Sequence, residues 1–493
     1  MAAGEAGEPG KRGLLIGGAD RAAGTGRTEQ DLNPYTGEVF ATVAAAAPED
    51  VTAAVDAAAA AFPGWAATDV GTRRKIFLRA ADLLEQRTED AVALMAGEVG
   101  GTRPWAMFNA GLAADVLREA AAAITAPRGE VLSSSSPGEW GFALRQPAGV
   151  VAALAPWNAP LILGVRSFAV ALAVGNTAVL KPSEDAPLTA GLFLAEIMRE
   201  AGLPDGVLNV LTNARDDAAQ VVETLIADRR VRRVNFTGST NVGRSVGIKA
   251  AENLKPALLE LGGKNSILVL DDADLDYAVD AVTFGAFMNA GQICMSADRV
   301  LLPRALEQEF SRRFAAKVAE LPCGDPGKPD TVIGPVIGER SAQRVAALVD
   351  DAVAQGAVLH TGGGRPDGAV YRPTVLSGVT PEQRIHSEEI FGPVTTVHGY
   401  DDVDSAIEVM NDTPYGLTAG VITEDTRRGW AIAQRVRTGI FHINDQSVGD
   451  EPQAPFGGVK DSGYGRFGGR DGIDAFTDTR WVTFREQHAQ YPF

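Results

Sequence analysis

Between Gly149 and Asp272 the chain repeats one pattern five times. Short apolar runs of strand character, GVVAALA, NTAVLKP, GVLNVLT, VRRVNFTG and SILVLDD, follow one another, with helical segments such as TAGLFLAEIMREAG (189–202) and DDAAQVVETLIAD (216–228) between some of them. Strands that read as unbroken apolar runs are buried on both faces, and helix-length crossovers join parallel strands. The stretch therefore predicts a doubly wound parallel α/β sheet, and ligands of such sheets bind at the carboxyl ends of the strands.

The flanks carry other textures. PEDVTAAVDAAAAAF starts at Pro48 with two acids, as a helix start prefers, and RKIFLRAADLLEQRTEDAVALMAGEVG continues with three- and four-residue apolar spacing. After residue 262 a second α/β run begins: helical VDAVTFGAFMNAG, the strand candidate RVLLP, the helix EQEFSRRFAAKVAEL and the loop CGDPGKPDTVIGP. WGFALRQP (140–147) and RWVTFREQ (480–487) alternate like edge strands outside both runs and could pair with another subunit. Ser133–Ser136 and Gly362–Gly364 read as loops.

Composition narrows the function classes. A formal charge of −18 over 493 residues argues against a nucleic-acid or anionic membrane surface. The stretch 146–165 is 20 uncharged residues, about a membrane span, but Pro147, Pro156 and Pro160 make it a buried strand followed by a turn. The N-terminus carries glutamates where a secretory signal would be positive, and reads as a flexible tail. Two cysteines, Cys294 and Cys323, cannot form a disulfide framework and suit a reducing cytoplasm. The five histidines, His360, His386, His398, His442 and His488, lie in no protease signature and have no zinc-site spacing.

Five short motifs carry candidate chemistry, and each has a plainer reading. Cys294, in AGQICMS, is a candidate nucleophile through its thiolate, or a small buried apolar residue. Glu260, in LLELGGKN, stands beside the flexible pair Gly262–Gly263 as a candidate general base, or is a surface acid before a turn. Asn158, in PWNAP, follows the first sheet strand and offers a neutral donor for an oxyanion, or is a turn residue. NFTGSTNVG (235–243) ends a strand and opens a helix whose N–H groups, with Ser239, could hold a pyrophosphate, although Gly238 and Gly243 do not make the G-x-G-x-x-G spacing. KPSE (181–184) offers Lys181 and Glu184 to a ribose at another strand end, or is a solvated loop. Cys323, in LPCGDP, has no such context.

Taken in order, PWN, KPSE, FTGST, ELGGK, GQIC, EEIFGPV and PFGGVKDSGYGR resemble the aldehyde dehydrogenase superfamily from about residue 30 to near the end. Glu260 and Cys294 are 34 residues apart, as in the hydrolytic members. The resemblance implies an α/β fold with a Rossmann-like cofactor domain, an α/β catalytic domain and a small β oligomerisation arm. Its boundaries would be a tail at 1–29, the NAD-binding domain at 30–128 and 149–261, the catalytic domain at 262–461, and oligomerisation strands at 129–148 and 477–493.

It also implies a mechanism. Cys294 attacks the aldehyde, Asn158 and the Cys294 N–H hold the oxyanion, hydride leaves for the nicotinamide, and a water activated by Glu260 hydrolyses the thioester. Lys181 and Glu184 would bind the adenosine ribose. Gly238, Ser239 and Gly243 would meet the pyrophosphate, and Glu389 with Phe391 would position the nicotinamide half. Trp157, Ser183 and Leu261 complete the implied cofactor contacts. A carboxylate at Glu184 repels a 2′-phosphate and favours NAD, while Lys181 leaves NADP open. The members of the family imply a homodimer or homotetramer.

WNAPLILGVR and HINDQSVGDEPQAPFGGVKDSGYGRFGG are similar to the branch that oxidises aromatic aldehydes such as benzaldehyde, vanillin and salicylaldehyde. Arg166 would then be a cation in the substrate tunnel, stacking on a ring or binding a phenolic oxygen, or an ion-paired residue facing away from it. Trp105, Phe108, Ile293 and Phe456 are further candidates for ring contact, with core packing the equal alternative for Trp105 and Phe108. Rival readings are an aliphatic, betaine or semialdehyde substrate, transfer to coenzyme A, which Glu260 in an intact ELGGK argues against, and a non-catalytic binding protein on the same scaffold.

Overall fold

A computed structural model of the chain describes residues 10–493. Two large sheets dominate it. The first has eight strands in the order Gly463–Tyr464, Ala257–Glu260, Val231–Thr237, Val150–Ala155, Thr177–Pro182, Leu208–Val210, Leu14–Ile16 and Ala19–Arg21. The five from Ala257–Glu260 to Leu208–Val210 are parallel. Chain order reverses between Val150–Ala155 and Val231–Thr237, which makes that gap the topological switch point where a ligand crevice forms.

Burial explains why these strands read as unbroken apolar runs. Val151, Ala153 and Ala155 pack into one cluster with the helices Val70–Gln86, Arg103–Ala123 and Pro160–Ala173. Val150, Ala152 and Leu154 pack on the opposite face with Pro48–Ala67, Ala218–Ala227 and Thr240–Glu252. Every residue of the strand is therefore core.

The second sheet has seven strands, all between Asn265 and Ile443, ordered Val358–Thr361, Thr374–Ser377, Val394–Tyr400, Ala297–Pro303, Asn265–Val269, Thr418–Ile422 and Ile440–Ile443. Only the Val358–Thr361 edge is antiparallel. The helix Leu275–Phe287 crosses from Asn265–Val269 to Ala297–Pro303 and packs with Ile267 and Val300.

Three expectations change. Residues 1–9 of the expected tail lie outside the described residues, but the rest of it is structured: Leu14 and Ile16 are buried in the first sheet, and Lys11–Arg12 pairs with Val39–Ala44. Polar neighbours hide these two- and three-residue strands in the sequence. WGFALRQP is not an edge: Glu139–Pro147 is the middle strand between Gly129–Leu132 and Thr477–Arg485. The first sheet also reaches past residue 461, taking Gly463–Tyr464 as its edge. The membrane-length stretch becomes the strand Val150–Ala155, a turn and the start of Pro160–Ala173, and no helix among the described residues is long and apolar enough to cross a membrane.

Candidate active site

The loop before the strand Ala297–Pro303 holds Cys294. Asn289, Ala290 and Gly291 all have positive φ, at 51°, 52° and 69°, a conformation unusual for side-chain-bearing residues. Gly291 is required because a Cβ would lie 2.1 Å from the Gly392 carbonyl oxygen. Side-chain amides then fasten the loop. Asn265 Nδ2 donates to the carbonyls of Cys294 and Ser296 at 2.8 and 2.9 Å, Asn289 Nδ2 to Asn158 O at 2.9 Å, and Ile337 N to Gln292 Oε1 at 2.8 Å. The Cys294 N–H has no hydrogen-bond partner among the described residues.

Asn158 follows the strand Val150–Ala155 at the switch point. One Nδ2 hydrogen goes to Gln292 O at 3.0 Å, and the amide has a second to offer. Glu260 ends the strand Ala257–Glu260, and neither of its buried carboxylate oxygens has a hydrogen-bond partner among the described residues. Burial raises its proton affinity well above the ordinary carboxylate range, with Arg466 and Arg166 pulling the other way. Burial also raises that of the Cys294 thiol, helped by the charges of Glu260, Glu389 and Asp450. Glu389 accepts from Gly263 N at 3.0 Å and is pushed up to about 7 by burial. Phe391 has φ of 47° and meets Trp157 edge to face at 5.5 Å.

These residues share a chamber of about 310 Å³. Its walls include Asn158, Glu260, Leu261, Cys294, Glu389 and Phe391. It continues, through Pro156, Trp157, Gly238 and Ser239, into a cleft of about 790 Å³ that carries Lys181, Ser183 and Glu184. There Lys181 Nζ pairs with Glu184 Oε1, which also accepts from Asn213 Nδ2 at 2.9 Å. Ser239 caps the helix Thr240–Glu252 by accepting from Val242 N. Gly243 lies off the cleft wall: a Cβ there would sit 2.2 Å from Leu261 Cδ2, so its smallness lets the helix approach the sheet. An ionic pair at one end, a helix N-terminus midway and a carboxylate-walled chamber at the other fit a dinucleotide spanning the cleft.

A separate cavity of about 650 Å³ is lined by Trp105, Phe108, Phe284, Met288, Asp450 and Phe456, among others. It neighbours the chamber through Trp105, whose Nε1 donates to Asn158 O at 3.2 Å, and through Gly457, where a Cβ would lie 2.5 Å from Glu260 Oε1. Trp105 and Phe108 stack at 5.6 Å. Arg166 and Ile293 line neither space. Arg166 is buried in a two-bond ion pair with Asp450, at 2.9 Å each, and its guanidinium lies 4.7 Å from the Phe456 ring centroid. Asn265, Asn289, Gln292 and Asp450 are the parts of this arrangement that motif reading passes over. Each lies in or beside a quoted motif, but its partners come from distant segments.

Known proteins are similar to this chain over nearly its whole length. A model of the aldehyde dehydrogenase family matches residues 22–482. A vanillin dehydrogenase of Pseudomonas fluorescens is 50% identical over 479 residues, covering 97% of this chain and 99% of that protein. A benzaldehyde dehydrogenase (NAD(+)) of Pseudomonas putida is 41% identical, covering 94% of each. The crystal structure of a salicylaldehyde dehydrogenase from Pseudomonas putida G7, complexed with salicylaldehyde, has a TM-score of 0.95 at 40% identity and covers 98% of this chain and 100% of that one. With its chamber, cleft and fold accounted for, the chain belongs to the aldehyde dehydrogenase family, oxidoreductases that act on aldehydes with a nicotinamide cofactor.

Proposed function

We propose that this chain oxidises aromatic aldehydes of the benzaldehyde, vanillin or salicylaldehyde type to carboxylic acids, with NAD as the preferred cofactor. The observation that carries the reading is that Cys294, Glu260 and Asn158, from three distant segments, wall one chamber that is continuous with a dinucleotide-sized cleft and adjacent to an aromatic-lined cavity. The three relatives named above act on aromatic aldehydes, and share 40–50% of their residues with it.

In this reading the Cys294 thiol gives its proton to solvent, the sulfur bonds to the carbonyl carbon, and the carbonyl π electrons pass to the oxygen, which becomes an oxyanion. The free Asn158 Nδ2 hydrogen and the unpaired Cys294 N–H receive it. Bound nicotinamide supplies the hydride acceptor that leaves a thioester on Cys294. Glu260, desolvated by burial, takes a proton from the water that attacks the thioester carbon, and the C–S bond breaks to release the acid. Lys181 and Glu184 bind the ribose hydroxyls, the turn at Gly238 and Ser239 meets the pyrophosphate, and Glu389 and Phe391 orient the nicotinamide end. The Glu184 carboxylate disfavours a 2′-phosphate, hence NAD.

The three-stranded sheet leaves Trp140, Trp481 and Phe484 exposed, and we assign it to contact between subunits of a homodimer or homotetramer. Two free cysteines suit the cytoplasm. The test is NADH absorbance with both cofactors against benzaldehyde, vanillin and salicylaldehyde, beside betaine aldehyde and an aliphatic aldehyde. A kcat/KM ranking led by an aliphatic or betaine substrate overturns the aromatic reading, and a ranking led by NADP overturns the cofactor reading.

A further inference from the structure

Asp450 stands in an unusual position for a carboxylate. It lines the aromatic cavity, yet its side chain is only 7% exposed. The other two carboxylates on that wall, Asp445 and Glu451, are solvent-exposed, so water screens them. Arg166 makes one 2.9 Å bond to each Asp450 oxygen. The guanidinium is itself held between the Phe456 ring at 4.7 Å and the Phe467 ring at 5.6 Å, and so cannot swing away.

The pairing neutralises the charge of Asp450 and fixes its orientation without using it up. A carboxylate has roughly four lone-pair sites, and two bonds to Arg166 leave about two. Much of the remaining wall is apolar, from Trp105, Phe108, Phe284, Met288 and Phe456, with His442 and Gln446 as its other uncharged polar side chains. A hydroxyl on a ring held among Trp105, Phe108 and Phe456 would therefore meet two buried polar groups, the Asp450 carboxylate that Arg166 holds in a fixed orientation and His442 Nε2, which has no hydrogen-bond partner among the described residues. Of the two only Asp450 is locked by a two-bond ion pair.

We propose that Asp450 is a specificity-determining residue that accepts a hydrogen bond from a hydroxyl group on the substrate ring, with Arg166 as the positioning residue that holds it in place. The inference rests on the aromatic-aldehyde reading and narrows it to hydroxylated rings. Asp450 can accept a hydrogen bond from a hydroxyl but not from a phenolate or a methoxy group, neither of which has a proton to donate.

The experiment compares kcat/KM for 4-hydroxybenzaldehyde, 3-hydroxybenzaldehyde, 4-methoxybenzaldehyde and benzaldehyde. It uses the full-length protein, Asp450→Asn, and the double variant Arg166→Met/Asp450→Leu. The double variant replaces the ion pair by apolar side chains and avoids a lone buried charge if Asp450→Asn misfolds. In the unsubstituted protein at least one hydroxylated ring is expected to exceed its methoxy and unsubstituted counterparts by about 10- to 100-fold, mostly through KM, the range for a hydrogen bond to a charged group. Either variant that folds should bring the ratio to within about threefold of one.

A third arm needs no variant. The ratio of hydroxylated to unsubstituted substrate should fall as pH rises through the phenol's own ionisation. Taking the ratio cancels whatever both substrates share from the charged and ionisable groups that face the site, Cys294, Glu260, His442, Asp445, Glu451 and Arg166. A preference that survives in either folded variant overturns the inference, as does a pH-independent ratio or the absence of any preference for hydroxylated over methoxy rings. If benzaldehyde is oxidised without such a preference, this inference alone fails; if no aromatic aldehyde is oxidised, the reading beneath it fails.

Discussion

Asn265 Nδ2 donates to the backbone carbonyl of Cys294 at 2.8 Å and, with its second hydrogen, to that of Ser296 at 2.9 Å. One amide at the start of a central strand thereby ties down the loop that carries the sulfur. Its Oδ1 accepts from Thr418 N at 3.3 Å, so the neighbouring strand orients the amide.

Asn265→Ala would leave two buried carbonyls without partners, at a cost of about 1–3 kcal/mol each, and release the loop. A displacement near 1 Å at a reacting atom is enough for a rate loss of about 10²-fold. We expect kcat to fall by that order while NAD affinity, read from quenching of Trp157 fluorescence, stays within about threefold, since the cleft is untouched. A kcat within twofold of the original would show that the loop holds its shape without Asn265.

Glu260→Gln keeps the shape of the side chain and removes its ability to take a proton. Steady-state turnover should fall by about 10²- to 10⁴-fold. Formation of the thioester does not need that proton transfer, so stopped-flow absorbance should record a burst of one NADH per active site before the slow phase. The sign of the pH dependence follows from burial, which raises the carboxyl's proton affinity: the base is inactive at low pH, and turnover climbs as pH rises through that raised value. This ascending limb should vanish in the variant. An unchanged rate with no burst would remove Glu260 from the hydrolytic step.

Glu184 Oε1 is shared between Lys181 Nζ and Asn213 Nδ2 and faces the cleft. Its carboxyl is held below the ordinary range, although burial opposes this, because the Lys181 charge and these donors favour the anion. The group is therefore ionised at neutral pH and would repel a 2′-phosphate. Glu184→Gln should raise the NADP-to-NAD ratio of kcat/KM by about tenfold or more, as Lys181 loses its counter-charge. A ratio that does not move would mean that the adenosine ribose is bound elsewhere.

What can be read before folding differs by kind. The parallel sheet is legible because a strand buried on both faces must be apolar throughout, as Val150–Ala155 is. The convergence of PWN, ELGGK and GQIC on one chamber is legible because the residues bearing the chemistry sit in recognisable local contexts. Asn265, Gln292 and Asp450 are not legible in that way. Their importance lies in the carbonyls and guanidinium that distant segments bring to them, which leave no local pattern. Gly243 shows the reverse: its motif position suggests contact with phosphate, whereas the Leu261 side chain beside it demands the absence of a Cβ. The short strands at Lys11–Arg12 and Leu14–Ile16 are hidden because two or three residues carry too little periodicity to stand out.

Asp31 and Glu98 form a buried carboxyl pair, 3% and 1% exposed, away from the chamber. Glu98 accepts from Leu188 N at 2.6 Å, from Thr189 N at 2.7 Å and from the Thr189 hydroxyl, whereas Asp31 Oδ2 has no partner among the described residues. The donors suit an anion at Glu98 and leave Asp31 to carry the proton. Burial and then the charge of Glu98 raise the proton affinity of Asp31 far above the carboxylate range, and burial raises that of Glu98 against the pull of its donors. Folding thus holds protons that the unfolded chain releases in the acidic range. The stabilisation is complete below the unfolded values and declines as pH rises through the raised folded values, first for Glu98 and then for Asp31. Each held proton contributes a slope of about 1.4 kcal/mol per pH unit across its window. In Asp31→Asn the amide can donate to Glu98 without needing a proton. Melting temperatures measured from pH 6 to 9 should therefore decline less steeply in the variant, and at the alkaline end it should be the more stable protein. Parallel curves would mean that Asp31 carries no extra proton in the folded state.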